Sequence, residues 1–485
     1  MPEAAIPFGN NMESSQEELA GASPLSVNTV TDSKGAVMQR PGIGLYSSAP
    51  TAAYGAEIDG LYTTVTGLLF AVGGAAPSRP VLLVRPDGFE DLSVNQTAGY
   101  LTGTLRPEFA EGEMLLVLTA GGDPQKVTFA DLVSSRLGGG PPNGSSVVAN
   151  ASRLLIDNPV ISGQIQFSDV FTGSVTFAGA ETWIPAIDNS AGFFNAVARP
   201  DPVVAVRDNT NEVFVFGSST LQVFDPDPVV TYAPAATREV GCVAGSSVVK
   251  YDQTFAWLDD KRRFVVSDGR TFQPISDQIQ QTLNDMTSVS DCFGYRFVEG
   301  HCDALVWTFP TDGRTFAYQN GKGWAEWMGW SDTSNTLTQF PVTAQFLRGD
   351  QDKNVVAVGP TGFIRELSRD FSSDTTDVTT RILATTTTGF IDHDTNARKQ
   401  CVAVRLTLRR GLTGNNQQGL LYWRDDLGQW EGGLSFTLGA SGDYQPVVEF
   451  RSLGVYRTRQ WKFVFSGTDP FSLANATEEF NILGN

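Results

Sequence analysis

Histidine and cysteine are almost missing from this chain: there are two histidines, His301 and His393, and four cysteines, Cys242, Cys292, Cys302 and Cys401. Two histidines leave little room for a histidine-based triad. Four cysteines scattered over 485 residues make no disulfide framework. Free buried thiols are expected instead, and they fit a reducing cytoplasm. Long apolar runs are absent too: no stretch approaches the roughly 20 residues that cross a bilayer. Met1-Pro2-Glu3-Ala4-Ala5 lacks the basic start and apolar run of a signal peptide, so Asn-x-Ser/Thr triplets such as Asn95-Gln96-Thr97 carry no weight as glycosylation sites. No Gly-x-x-x-x-Gly-Lys-Ser/Thr phosphate loop occurs. Basic residues are in deficit, 34 Lys plus Arg against 53 Asp plus Glu, for a net charge of −19. Affinity for phosphate backbones comes from clustered Lys and Arg. The balance therefore argues against general nucleic-acid binding, and it favours solubility.

What is abundant points to strands. Forty-nine Gly, 25 Pro and a heavy load of Thr, Val and Phe suit many short strands joined by tight turns. A hairpin phrase recurs: two or three apolar or aromatic residues, a Gly- or Pro-marked turn, then a return strand. It begins at Leu82, Phe214, Phe264, Trp307 and Val356. The last four starts are 50, 43 and 49 residues apart, within the roughly 40 to 50 residues of one four-stranded propeller blade. The expected fold is all-β, a β-propeller with an N-terminal extended arm, an inserted loop region and a C-terminal antiparallel β-sandwich-like domain.

Three segments follow. Residues 1–55 are polar and turn-rich and read as an arm, with an acidic stretch around Glu13, Glu17 and Glu18 that suits a helix turn. Residues 56–372 form the propeller, with an insertion expected around 120–170, where Gly138-Gly139-Gly140-Pro141-Pro142-Asn143-Gly144-Ser145-Ser146 supports neither helix nor strand. Residues 373–485 change character: Val402, Val404, Leu406 and Leu408 alternate with Ala403, Arg405, Thr407 and Arg409, the period-two signature of a strand with one wet face. The alternation returns in Trp461-Lys462-Phe463-Val464-Phe465, and a small sandwich is the simplest solution. Charge marks the same boundary. From residue 376 onward there are 11 acidic and 11 basic residues, against 42 and 23 before it.

Few constellations suggest chemistry. Cys292, His301, Cys302 and Asp303 have the residue types of a zinc site, but the spacing fits no known finger and neighbouring strand residues point to opposite faces. Asp268-Gly269 and Asp312-Gly313 look like the Asp-box turns of sialidase propellers, and equally like hairpin turns whose Gly takes a positive φ. The acid pairs Asp225/Asp227 and Asp259/Asp260 read as solvated loop charges. Trp324, Trp327 and Trp330 suit either a sugar-stacking platform or a blade edge packed under its neighbour, with the second favoured. No nucleophile is nominated, so no catalytic, cofactor or metal residue is assigned and the chain is not expected to be an enzyme.

Several stretches in order resemble the packaged-DNA stabilisation protein of short-tailed bacteriophages, also called the tail hub, tail accessory or nozzle protein. They are Leu25-Ser26-Val27-Asn28 with Gln39-Arg40-Pro41-Gly42-Ile43; Trp183 to Pro200-Asp201; Phe216-Gly217-Ser218-Ser219-Thr220 with Phe224; Leu305 to Pro310 with Phe316-Ala317-Tyr318; Asn320-Gly321 before Trp324; and Asp394-Thr395-Asn396-Ala397-Arg398 leading into the strand at Val402 to Leu408. The final strands, from Leu420 to Phe465, are also similar. No family-like residues occur at about 120–170. The resemblance implies a propeller with appended β elements, assembled as a sixfold ring below the portal and its adaptor. It further implies a role in closing the tail channel over packaged DNA and passing the genome at ejection, without catalytic residues or cofactors. The implied partners are copies of itself, the portal adaptor, tail fibre or needle proteins, and double-stranded DNA in transit without sequence-specific binding. The implied location is the virion tail, after assembly in the host cytoplasm. An acidic propeller would not hold phosphates, although plain solubility explains the acidity equally well. The neutral C-terminal part, with Arg398, Arg405, Arg409 and Arg410 near its start, is the candidate docking face, and 138–146 a candidate channel tip or fibre-docking loop. The alternative function is a receptor-binding or carbohydrate-active propeller of the tail.

Overall fold

A computed structural model describes residues 3–6, 8, 26–94, 98–171, 178–199, 201–228, 231–348, 353–409, 418–438, 443, 445–467 and 471–483. The acidic stretch at Glu13, the Asn95 triplet and Arg410 lie outside them.

Short apolar strands separated by turns pair with their sequence neighbours, which gives six four-stranded antiparallel sheets of consecutive strands. These are the first six blades of a propeller. Their innermost strands are Ile58–Thr63, Glu108–Glu111, Val147–Asn150, Val203–Asn209, Val249–Tyr251 and Phe293–Glu299. A seventh, composite sheet completes the ring. Val342–Arg348, Lys353–Val358 and Phe363–Ser368 take their fourth strand, Gly42–Leu45, from near the N-terminus. Strands flanked by sheets on both faces are apolar throughout, as in Leu115–Thr119, where all five residues are buried. Seven hydrophobic clusters fill the seven gaps between adjacent blades. The cluster of Ile58, Leu61, Ala71 and Leu82 with Ala344, Val355 and Ile364 joins the last blade to the first. The one α-helix among the described residues is short, Gln280–Asp285, and Arg262 closes its C-terminal end by donating to Asn284 O at 3.0 Å and Met286 O at 3.1 Å.

Beyond the propeller two sheets pack face to face. One runs Thr379–Thr387, Arg459–Gly467, Gln418–Asp425, Glu431–Thr437; the other is centred on Lys399–Leu408 between Ser472–Ile482 and Val447–Arg451. Trp461, Phe463 and Phe465 from the first meet Val404, Leu406 and Leu408 from the second. A bulge at Val402 shifts the register, so Cys401 and Ala403 are buried and Val402 is only half-buried.

The described parts of the N-terminal segment are extended and docked: Val30, Val37 and Ile43 are core residues, Val37–Gln39 and Glu3–Ala5 pair with the C-terminal strand, and Gly42–Leu45 closes the ring. Polar residues of the segment are satisfied internally. Arg40, fully buried, donates to Asn28 Oδ1 at 2.9 Å, to Pro41 O at 2.7 Å, to Met328 O at 2.9 Å and to both carboxylate oxygens of Asp374.

One expectation needs correction: 120–170 is not an insertion. It holds the outer strands Gln125–Thr128 and Val133–Arg136 of the second blade and three strands of the third, Val147–Asn150, Arg153–Asp157 and Gln164–Phe167. The Gly-Pro run merely connects the two blades and is tied down: Gly138 N donates to Glu181 Oε1 at 2.9 Å and Ser146 N to Asp157 Oδ1 at 2.7 Å. The irregular pieces lie later, at 168–171 and 178–191, between the third and fourth strands of that blade.

Candidate functional site, the propeller axis

The innermost strands of all seven blades line one axial cavity of about 510 Å³. Each contributes side chains to it, among them Asp59, Tyr62, Glu108, Phe109, Arg207, Asp208, Lys250, Phe293 and Phe346, with Arg106 from the turn entering the second blade. Seven first strands must converge on the axis, and Gly294 shows how tightly: a Cβ there would lie 2.4 Å from the Trp307 ring.

Opposite charges bridge the blades across this space. Arg207 of the fourth blade grips Glu108 of the second in a two-pronged pair, both contacts at 2.6 Å, and donates onward to Gly245 O at 2.9 Å. Ser146, at the entry to the third blade, donates to Glu108 Oε2 at 2.7 Å, so three blades share one network. Arg79 pairs with Asp59 and donates to Leu105 O at 2.7 Å. Asn150 Nδ2 donates to Asp208 at 2.5 Å. Burial raises the carboxyls of Asp59 and Asp208 above the usual range, against the pull of Arg79 and Arg106 on the first and of Asn150 and Lys250 on the second. Arg106 differs from the other cations. It donates to Asp59 O at 3.2 Å and Thr343 O at 2.7 Å, and its guanidinium carbon lies over the Phe293 ring, 3.6 Å from the centroid. Burial lowers its pKa, and it stays cationic. None of these residues stood out in the sequence. The available signal was positional: Asp59, Glu108, Arg207 and Lys250 all sit in the first strand of their blade, just before an apolar second strand.

The residues weighed for chemistry are dispersed. Cys292 and Cys302 pack in different clusters, His301 is exposed, and Asp303 is held by Arg296 at 2.9 and 2.6 Å. Among the described residues no three or more His, Cys, Asp and Glu are placed to share a metal ion. Trp324 and Trp327 are fully buried on opposite sides of the sixth blade, the first against Trp307 and Phe264, the second against Phe297 and Phe340. Trp330 alone is partly accessible, with Arg381 over its ring. Asp268 accepts from the backbone of Thr271 and Arg270, which holds its carboxyl below the usual range, and Gly269 takes a φ of +82° in that hairpin turn. Asp312 accepts from Thr287 N and Ser288 N at 3.1 Å each. Asp259 overturns the solvated-charge reading: it is fully buried, accepting from Lys261 N at 2.9 Å and Arg263 N at 2.7 Å and pairing with the Arg263 guanidinium. The C-terminal arginines divide. Arg398 is exposed, whereas Arg405 is shared among Glu3, Glu449 and Glu479, and Arg409 pairs with Asp32. The last two hold the N-terminal segment.

All four thiols are buried, and burial pushes Cys242 and Cys302 up to about 12 and Cys292 well above its ordinary value. The thiolate is the reactive form. An aromatic disulfide reagent at pH 8 is therefore expected to label none of them in the native protein while titrating all four in denaturant; rapid native labelling of even one would contradict the packing.

Residues 184–332 match a family model described as Phage_stabilise, the β-propeller of bacteriophage P22 Gp10. The match runs from the irregular piece of the third blade through the sixth and covers less than a third of the chain. It supports a structural protein of the phage tail. No curated protein matches the sequence. Among solved structures the chain is similar to streptogramin B lyase at 7% identity, covering 66% of this chain and 96% of that one with a TM-score of 0.42. It is also similar to virginiamycin B lyase from Staphylococcus aureus, at 7% identity over 66% and 97% with a TM-score of 0.40. Hsv2 of Kluyveromyces lactis aligns at 10% identity over 65% and 98%, with a TM-score of 0.34. With scores this low, the fold rests on the sheet topology above.

Proposed function

We propose that this chain is the hub or nozzle subunit of a short-tailed phage tail, a structural protein that attaches below the portal and adaptor, closes the channel over packaged DNA and conducts it at ejection. The observation that carries this reading is the match of residues 184–332 to the phage stabilisation propeller. Its neighbours would be further copies of itself in a ring, probed first as a hexamer, the adaptor above, and fibre or needle proteins below. Assembly would take place in the host cytoplasm, where the four thiols stay reduced. The chain would act without catalysis; Asp268 and Asp312 serve turns and Asp259 an ion pair.

The axis constrains where DNA would run. Charged pairs such as Arg207 with Glu108 join blades across the axial space, which leaves no open bore for a duplex whose major groove alone is about 12 Å wide. DNA would therefore pass between copies of the chain, along outer surfaces of acidic propellers that do not retain phosphates, and never through a single propeller.

Electron microscopy of the purified protein, alone and with a portal–adaptor complex, tests this. A ring whose central opening exceeds a duplex, seated on the adaptor, is expected. Single propellers that ignore the adaptor, and bind host cells or cleave host polysaccharide instead, would sink it. Deleting 376–485 is a poor substitute, because the deletion also strips the strands that hold Glu3–Ala5 and Val37–Gln39.

A further inference from the structure

We propose that the axial cavity binds a small organic carboxylate, with Arg106 as its anchor. Three observations converge. First, among the described residues Arg106 takes part in no ion pair, whereas the nearby Arg79 and Arg207 are matched by Asp59 and Glu108. Its two protein acceptors are both carbonyl oxygens reached through Nη1, so the other N–H groups of the fork remain for a ligand. A planar guanidinium fork matches a carboxylate in two-point geometry. Second, the fork is preorganised: the Phe293 ring beneath and the two carbonyls at its edge fix its plane before any ligand arrives. Third, the cavity offers an apolar body site next to the anchor. Tyr62 stacks on Phe109 at 5.4 Å and meets Phe346 at 4.9 Å, and all three line the space. About 510 Å³ suits a small ligand.

The charge pattern selects a monoanion over phosphate. Asp59, Glu108 and Asp208 also line the cavity, and a dianion would meet these three acids while gaining one fork that makes no close ion pair among the described residues. Lys250, an exposed residue among those that line the cavity, adds a second attraction. All these groups belong to one chain, so the site stands whether or not copies form a ring.

The carboxylate has two sources, a free small acid or the C-terminus of a partner peptide, and both supply the same group. Calorimetry and thermal melts of the full chain would use benzoate, N-acetylphenylalanine and its amide, with phosphate and chloride at equal ionic strength. Saturable binding of the carboxylates is expected, with no response to chloride, phosphate or the amide. Tighter binding of N-acetylphenylalanine than of benzoate would favour the peptide source, and the reverse the free acid. Arg106→Gln should weaken binding at least tenfold, and Lys250→Gln, at an exposed position, severalfold, with the melting temperature of each unliganded variant recorded beside the wild type's. No carboxylate-specific binding by the wild type, an equal response to phosphate, or undiminished affinity in both variants would overturn the assignment.

Discussion

Replacing Arg40 with alanine is expected to lower the folding free energy by about 3–5 kcal/mol, the usual cost of leaving one member of a buried ion pair alone. The number follows from what the side chain joins. Arg40 comes from the N-terminal segment, Asp374 from the link between propeller and sandwich, Met328 from the hairpin after the sixth blade, and Phe340, whose ring faces the guanidinium at 4.6 Å, from the entry to the seventh. Removal would strand Asp374, which is 2% exposed, and free the carbonyls of Pro41 and Met328. The loss should exceed that of a single contact because the next residues, Gly42–Leu45, are the fourth strand of the composite blade. Ring closure and the pair are thus coupled. Urea unfolding followed by tryptophan fluorescence measures the shift. A double variant, Arg40→Met with Asp374→Leu, should recover part of it, since well-packed apolar residues can replace a buried pair. The carbonyls would keep it from recovering all. A loss under about 1 kcal/mol for Arg40→Ala, the level of a surface pair, would show that the segment does not clasp the ring.

The same pair shows where reading the chain alone runs out. Pairing between neighbours in sequence was legible: the phrases at Leu82, Phe214, Phe264, Trp307 and Val356 are all hairpins, and Trp461, Phe463 and Phe465 face inward as their alternation predicts. The phrases do not fall at one position in the blade, however. Those at Phe214, Trp307 and Val356 join second and third strands, whereas those at Leu82 and Phe264 join third and fourth. That drift in phase explains the uneven spacing. The outer strands of the second blade and the strands of the third were missed because the Gly-Pro run between them reads as a loop. Closure by Gly42–Leu45 could not be read at all, since no local periodicity links a residue near 43 to one near 367. The axial site fails for the same reason: Asp59, Arg106, Glu108 and Arg207 converge only after seven sheets are arranged around one point. Asp259 looked like a loop charge because half of its hydrogen bonds come from backbone N–H groups, which leave no trace in side-chain pattern.

Glu478→Ala is expected to cost the sandwich a comparable 3–5 kcal/mol, because it empties the centre of a buried polar network. Glu478 is fully buried, accepts from Tyr456 OH at 2.6 Å and lies 3.3 Å from His393 Nε2, whose ring stacks on Phe480 at 4.1 Å. Burial alone would raise its carboxyl. The hydrogen bonds of His393 and Tyr456 and the positive field of Arg459 outweigh that and hold it below the usual glutamate range. A depressed folded value means that the stabilisation is present above the unfolded value of about 4.3 and is lost as pH falls through the folded one. Asp59, Asp157 and Asp208 have the opposite sign: their folded values are raised, so they favour folding most in acid and lose that contribution as pH rises through the folded values. The wild-type acid profile is therefore a sum of opposing contributions, and only a difference isolates Glu478. The near-isosteric Glu478→Gln keeps an acceptor for Tyr456 and should cost about 1.5–3 kcal/mol at pH 7, the range for a hydrogen bond to a charged group. Measured by urea unfolding at stepped pH, the gap between wild type and Glu478→Gln should hold from pH 7 to about 5 and close below about 4.3, as the wild-type carboxyl takes up its proton. A gap that stays constant down to pH 3 would mean that the charge of Glu478 contributes nothing and that only its shape matters.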